Sequence, residues 1–210
     1  MVAETLKKPK ATKETKDTKS TTKITQVKLA ELVADLPAVT LPNQPLPIIK
    51  RNPLGHLLIE KMLREENFRG GVSTDKHVLD RYSTDESIFS VRPQVVIQPK
   101  SKHDVEIATR VIARETKRFT SLSLTPRAAG TGLGGGSLTD SIVIDMCSHI
   151  NNIGEVKVTK DKITIACEPG AMWRDVEKRL KRHDAYIPSY TSSKDICSIG
   201  GSIGNNAAGP

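Results

Sequence analysis

The sequence predicts an α+β fold, with small strands and a helix between most pairs of them. Three observations carry that reading. Short β-branched runs recur at Val95-Val96-Ile97 and Ile142-Val143-Ile144. Apolar residues at helical spacing lie between and after them. Val156–Val158 and Ile163–Cys167 alternate about a polar turn at Lys160-Asp161, as a hairpin does. In chain order, Lys28–Leu36 reads as a short amphipathic helix. From Pro37 to Pro53 five prolines exclude a helix and describe an extended connector. Leu54–Asn67 restores a helical pattern with Leu54, Leu57, Leu58 and Met62 on one stripe, ended by Gly70-Gly71. The strand at Val95 closes at Pro99, and Ser101 then suits an N-cap. Val105, Ala108, Val111 and Ile112 give the next helix its face, through Lys117. Thr125–Ala128 leads into a glycine cluster before the strand at Ile142. Ala171–His183 is a helix with Trp173, Val176 and Leu180 inward.

The chain has 210 residues, enough for one domain or one and a half at roughly 100–200 residues each. Hydrophobic positions make up 37%, charged ones 27%, and mean hydropathy is −0.35, ordinary values for a soluble protein. No run approaches the ~18 consecutive apolar residues of a membrane span, which excludes a transmembrane segment. Aromatics are 3%, so the core must be aliphatic and a base-stacking nucleic-acid platform is disfavoured. Half of the net charge of +8 sits in residues 1–23, where seven lysines face three acids. That Lys/Thr-rich stretch has little apolar surface to bury and reads as a disordered tail, with an anion-binding arm as the alternative. It has neither a secretory h-region nor the arginines of a transit peptide. Residues 24–74 form a helical and proline-rich lead, and 75–210 the remaining domain.

Cys147, Cys167 and Cys197 are odd in number and form no CxxC, which supports reduced thiols in a cytosolic setting. The five histidines show neither HExxH nor a close pair, so no metal site is expected.

The strongest local signal is Arg127-Ala-Ala-Gly130-Thr131-Gly132-Leu133-Gly134-Gly135-Gly136-Ser137. Gly130, Gly132 and Gly135 satisfy GxGxxG. A dinucleotide fingerprint of the nicotinamide type requires a helix opening at the motif, and here a second strand follows too soon. A phosphate-cradling P-loop fails because no Gly-Lys-Ser/Thr occurs. A glycine-dense loop still turns consecutive N–H groups to one side as an anion nest; the plain alternative is a long hairpin loop. A second glycine cluster some 70 residues on, Gly200-Gly201 and Gly204-Asn205-Asn206-Ala207-Ala208-Gly209, favours a long ligand with a diphosphate at its middle. A dinucleotide cofactor is the economical candidate.

Six motifs in order resemble the FAD-linked oxidase family, the flavoenzymes with a PCMH-type (vanillyl-alcohol-oxidase-type) FAD-binding domain. They are Tyr82-Ser-Thr-Asp85-Glu-Ser87, Pro93–Pro99, Pro126–Leu133, Ile142–Asp145, Glu168-Pro169-Gly170 and Ile199–Gly209. The branch most resembled is that of D-lactate, glycolate and other D-2-hydroxy-acid dehydrogenases. The resemblance covers about residues 75–210 and implies two α/β subdomains holding FAD between them, the second incomplete at the C-terminus. It implies that Pro126, Arg127, Ala128, Ala129, Gly130, Thr131, Gly132 and Leu133 wrap the pyrophosphate. Ser192, Ser198, Gly200, Gly201, Asn205, Asn206, Ala207, Ala208 and Gly209 would line the flavin side. Relatives with covalent flavin carry histidine at the position of Thr131, so noncovalent FAD is implied here.

The family's substrate-binding and proton-accepting residues come later than residue 210, so no catalytic residue is named and the 210 residues alone are expected to be inactive and to bind flavin poorly. The glycine-dense end itself suggests a missing C-terminal part, through truncation, a broken reading frame or a split gene. The function implied is hydride removal from a small D-2-hydroxy acid, with an electron acceptor engaged through the missing part and no nucleic-acid partner. Alternatives are a noncatalytic flavin-binding fragment, one subunit of a split enzyme with a complementary subunit, or a same-fold aldonolactone oxidase or sugar-nucleotide reductase. A cytoplasmic location follows, at most peripheral to the inner face of the membrane. Among single residues, Trp173 reads as core against flavin stacking, Glu168 as a strand end against cofactor contact, and Asp85 as a turn or cap residue against a catalyst. Arg127 suits a phosphate or a carboxylate partner equally.

Overall fold

The computed structural model describes residues 2–7 and 54–208. The expected helix at Lys28–Leu36 and the proline-rich connector lie outside these residues. The order of elements is β1 (Val2–Lys7), α1 (Leu54–Glu65), β2 (Gly71–Ser73), α2 (Lys76–Arg81), β3 (Val95–Gln98), α3 (Lys102–Glu115), β4 (Leu124–Arg127), β5 (Ile142–Asp145), β6 (Ile153–Val158), β7 (Ile163–Cys167), α4 (Trp173–Lys181), β8 (Ala185–Tyr186) and α5 (Ile199–Gly204). Among the described residues no helix is long and apolar enough to cross a membrane, and no cluster of His, Cys, Asp or Glu could hold a metal ion.

Two four-stranded sheets organise the chain. The first has the order β2-β3-β5-β4, with β3 and β4 both parallel to β5. Its central strands are buried on both faces, which is why Val95-Val96-Ile97 and Ile142-Val143-Ile144 are continuous apolar runs without alternation. Val95, Ile97, Ile142 and Ile144 pack under α1 and α3; Val96 and Val143 face the other way, against Leu79 of α2. Ser101 caps α3 by accepting from the Asp104 amide at 3.2 Å. The buried side of α1 is His56, Ile59 and Leu63, whereas Leu57 and Leu58 of the expected stripe are exposed. His56 can enter the core because its Nε2 meets the Ser141 hydroxyl at 3.0 Å.

The second sheet has the order β6-β7-β1-β8 and carries α4. The β6–β7 hairpin forms as expected, with Val158 opposite Ile163 and a bulge between Ile153 and Val156. Trp173, Val176 and Leu180 are buried against Ile163, Ile165 and Cys167, so Trp173 is a core residue. The tail reading needs correction at residues 2–7, which form β1 between β7 and β8. Backbone pairing along an open strand edge does not require an apolar segment.

The two sheets meet at Gly170. A Cβ built there would stand 2.6 Å from the Ile150 carbonyl oxygen and 2.7 Å from Cα of Cys147, both backbone atoms that cannot swing aside. The Gly170 amide donates to the same Ile150 carbonyl at 2.8 Å. Next to it, a Cβ on Gly200 would lie 2.5 Å from Cβ of Pro169, and the Gly200 amide donates to the Pro169 carbonyl.

Beyond the carboxyl ends of β3 and β5 lies a polar network. The Asp145 carboxylate accepts from the Tyr82 hydroxyl at 2.6 Å, the Cys147 amide at 2.7 Å and the Ser148 hydroxyl. Burial raises the Asp145 carboxyl, but the hydrogen bonds from Ser148, Tyr82 and the Cys147 amide outweigh it and hold the group below its ordinary value. Burial, followed by the Asp145 hydrogen bond and charge, pushes the Tyr82 hydroxyl up to about 12.

Gly170→Ala should lower the unfolding free energy by ~3 kcal/mol or more in a urea titration, while Gly134→Ala, whose Cβ would meet nothing within 4 Å, should change it by less than ~0.5 kcal/mol. Because the folded Asp145 carboxyl titrates below its unfolded value of about 4, its contribution is complete above that pH and lost as pH falls through the folded value. Stability measured from pH 6 downward should therefore fall more steeply in the parent chain than in Asp145→Asn. Tyr82→Phe should cost ~1–3 kcal/mol at pH 7.

Candidate functional site

The segment from Ala128 to Asp140 leaves the carboxyl end of β4 and returns to the start of β5. Because β4 and β5 are parallel, it has to travel back along the sheet, and the hairpin-loop alternative is excluded. Ligand sites of parallel sheets lie outside the carboxyl ends of the strands, where Ala128–Gly132 stands. Gly130 (φ +73°) and Gly135 (φ +71°) adopt the left-handed backbone, whereas Gly132 does not. Among the described residues, the amides of Thr131, Gly132, Leu133 and Gly134 donate to no protein acceptor. They are left for solvent or a ligand.

The glycine-rich stretch after Cys197 is a helix, α5, and not the loop that its composition suggests. Ser198, fully buried, caps it by accepting from the Gly201 amide at 3.3 Å. The Ile199 amide donates to the Ala171 carbonyl at 2.9 Å, and Met172 bridges Ser198, so the start of α5 is tied to the start of α4. Ser202 is held by its hydroxyl donating to the Ser198 carbonyl at 3.0 Å.

Between α5 and the glycine loop is a cleft of about 720 Å³. A Cβ on Gly201 would come 3.1 Å from Cβ of Ala128, and one on Gly132 would come 3.3 Å from Nδ2 of Asn205. On Gly134 and Gly136 it would meet nothing within 4 Å. Glycines thus supply much of the wall, and the passage is tightest where Gly201 faces Ala128 and Gly132 faces Asn205. The lining holds no ionisable side chain. An anion there is met by amide dipoles, as in a backbone nest.

Of the residues expected to hold the cofactor, Pro126, Ala128, Ala129, Gly130, Thr131, Gly132, Ser198, Gly200, Gly201 and Asn205 line this cleft. Leu133 is 79% exposed and outside the lining. Ser192 is exposed on the preceding loop, and Asn206, Ala207 and Ala208 follow the helix beyond the lining. Gly209 lies outside the described residues. Gly134, Gly136, Ser137, Met146, Pro169, Ile203 and Gly204 were not expected in the lining but belong to it. For Gly136 and Ser137 the signal was present in the same glycine run; Met146 and Pro169 are brought in only by the way the sheets meet.

Arg127 takes neither partner that its position suggested. Its guanidinium donates to the carbonyls of Thr84 at 2.7 Å and Tyr82 at 3.4 Å and lies 5.5 Å from the centre of the Tyr82 ring. A Cβ on Gly130 would stand 2.6 Å from Nη2, so that glycine makes room for the arginine behind the loop. Asp85 is a turn residue, as expected: Oδ1 accepts from the Ser87 amide at 2.9 Å, and Oδ2 accepts from the Ser137 hydroxyl at 2.8 Å. Burial raises its carboxyl, but the Ser87 and Ser137 hydrogen bonds and the Arg127 charge hold it below the ordinary value. Glu168 ends its strand facing Asn152, whose amide and Nδ2 donate to its carboxylate. Cys147, half-buried, has its thiol pushed up mainly by burial.

Comparison with known proteins places this geometry. Residues 93–210 match the family model of the FAD binding domain. The chain is 33% identical over 147 residues to the D-2-hydroxyglutarate dehydrogenase of Pseudomonas putida, covering 70% of this chain and 14% of that protein. It is 25% identical over 122 residues to the glycolate oxidase subunit GlcD of Bacillus subtilis, covering 58% and 24%. It thus spans a small part of the length of either. An alkyldihydroxyacetonephosphate synthase shares the fold with a TM-score of 0.57 at 17% identity, over 83% of this chain and 33% of that one. A glycine-rich cleft with free amides and no ionisable side chain fits a dinucleotide, and the family match extends over more than half of the sequence. The chain belongs to the FAD-binding domain family with the PCMH-type fold, and FAD is its cofactor.

Proposed function

We propose that the cleft between the glycine loop and α5 holds FAD noncovalently, and that the domain serves an enzyme oxidising a small D-2-hydroxy acid. The observation that carries the first part is the pair of walls built from Ala128–Gly132 and Gly200–Asn205, rich in glycine and free of ionisable side chains. FAD, when bound, supplies a two-electron acceptor for hydride from the substrate's α-carbon. The chain's own part is to bind the diphosphate through the amides of Thr131 to Gly134, to close one wall with α5, and to keep the cleft free of competing charge. Thr131 supports the noncovalent reading, since a hydroxyl-bearing side chain stands where covalent relatives are implied to carry histidine.

The second part rests on the relatives, which are named as D-2-hydroxyglutarate dehydrogenases and glycolate oxidase subunits. Their substrates share an α-hydroxy carboxylate. Because the chain spans 14% of the dehydrogenases, carboxylate binding and proton removal are assigned to other parts of the complete enzyme. A second reading, one subunit of a multi-subunit oxidase, is favoured by the relatives named as subunits. The electron acceptor and a complementary subunit are proposals of the same kind.

The protein carrying the whole reading frame should copurify with FAD, and acid or heat should release the flavin from the precipitate; yellow colour that stays with the denatured polypeptide would contradict the noncovalent reading. Gly132→Val places a branched side chain against Asn205 across the cleft. It should weaken FAD binding at least about tenfold, equivalent to ~1.4 kcal/mol, with an unchanged unfolding midpoint. With D-2-hydroxyglutarate, D-lactate or glycolate and an artificial dye, the 210-residue chain should show no turnover above free FAD, and the complete enzyme should turn over at least one of them. Inactivity of the complete enzyme on all three would remove the hydroxy-acid reading and leave FAD binding intact.

A further inference from the structure

The segment Tyr82–Phe89 lies outside the cleft lining, yet it grips the glycine loop at several separate points. At the root of the loop, the Arg127 guanidinium donates to the Thr84 and Tyr82 carbonyls. In the middle, the Glu86 amide donates to the Gly130 carbonyl at 3.1 Å. At the far end, the Ser137 hydroxyl donates to Asp85 Oδ2 at 2.8 Å, and the Phe89 ring lies 2.9 Å from where a Cβ of Gly135 would be. The segment is itself fixed. Its first residue is bound to Asp145 through the Tyr82 hydroxyl, Thr84 bridges Ser90, and the Val91 amide closes onto the Ser83 carbonyl at 2.8 Å.

These contacts have a physical consequence. A glycine-rich loop has many conformations to lose when it closes on a ligand, and that loss is subtracted from affinity unless the loop is ordered beforehand. Nothing in the cleft lining supplies that ordering at the end of the loop near Ser137; the Asp85 carboxylate does, through a charge-assisted bond. The same carboxylate shapes the segment itself by accepting the Ser87 amide, so a single side chain couples the turn to the loop.

We propose that Tyr82–Phe89 is a brace that sets the glycine loop in its ligand-receiving shape before FAD arrives, with Asp85 as the positioning residue that latches it. The brace rests on the reading of the cleft as the FAD site, and it goes beyond that reading by assigning affinity to residues that do not touch the ligand.

The test uses the 210-residue chain with FAD itself as the probe, and two readouts. Hydrogen–deuterium exchange of the flavin-free chain reports the order of residues 130–137; fluorescence titration reports FAD affinity. Asp85→Ala should speed exchange in that loop and weaken FAD by about tenfold, one hydrogen bond's worth at 1.4 kcal/mol per decade, with exchange in β5 and α3 unchanged. Asp85→Asn keeps an acceptor for the Ser87 amide and a partner for Ser137, and should restore most of both. Ser137→Ala removes the latch and should move both readouts in the same direction; because Ser137 also lines the cleft, its loop exchange is the readout that decides the matter if Asp85→Ala does not fold. Weaker FAD binding with unchanged loop exchange would overturn the brace by making Asp85 a direct ligand contact. Faster exchange with unchanged affinity, or no change in either, would overturn it as well. Gly132→Val separates the two claims: if it leaves FAD affinity intact the cleft reading fails, whereas the exchange of the latch variants still reports whether the brace orders the loop.

Discussion

Around Gly170, three stretches of backbone approach so closely that no side chain fits between them. The Met146–Ile150 turn leaves the first sheet, Pro169-Gly170 leaves the second, and Gly200 opens α5 against Pro169. The amides of Gly170 and Gly200 each donate to a carbonyl of a neighbouring stretch, so the contact is bonded as well as packed. This junction fixes where α5 stands. Since α5 is one wall of the cleft and the loop after β4 is the other, the width of the cleft depends on Gly170, which lies outside the lining, as well as on Gly200 within it. Met146 and Pro169 enter the lining for the same reason.

The electrostatic character of the cleft follows from its composition. With no ionisable side chain in the lining, recognition of a diphosphate falls to aligned amides, whose orientation depends on backbone shape and is degraded by any loosening of the loop. The guanidinium of Arg127 is committed to carbonyls behind the loop and gives the loop support. Order in the loop therefore substitutes for charge in the site, and the brace, the buried Tyr82–Asp145 pair and the Gly170 junction all serve that order.

Much of this was legible in the sequence where one residue type has one physical use. The double-sided apolar runs at Val95 and Ile142, the Ser101 cap and the hairpin about Lys160-Asp161 are of that kind. Gly130, left-handed at φ +73°, also clears space for Arg127, a use no local pattern shows. In β2 and α2, of three and six residues, too few apolar positions fall for a period to show. In α5 the glycines hide a helix whose cap, Ser198, was visible only as one serine among several. The parallel pairing of β4 with β5 is a long-range property, and the exposure of Leu57 and Leu58 shows that hydrophobicity alone did not choose the buried face of α1. His56 was chosen because Ser141 lies opposite it.

The most direct test of the central claim is an experimental structure of the FAD-loaded chain. The account predicts the two phosphates between the glycine loop and α5, within ~3 Å of the amides of Thr131 to Gly134, with Arg127 still bonded to the carbonyls of Tyr82 and Thr84. A diphosphate found elsewhere, for instance in the groove beside Lys178, Arg179 and Arg182 on the second sheet, or an Arg127 swung out to meet it, would contradict the account.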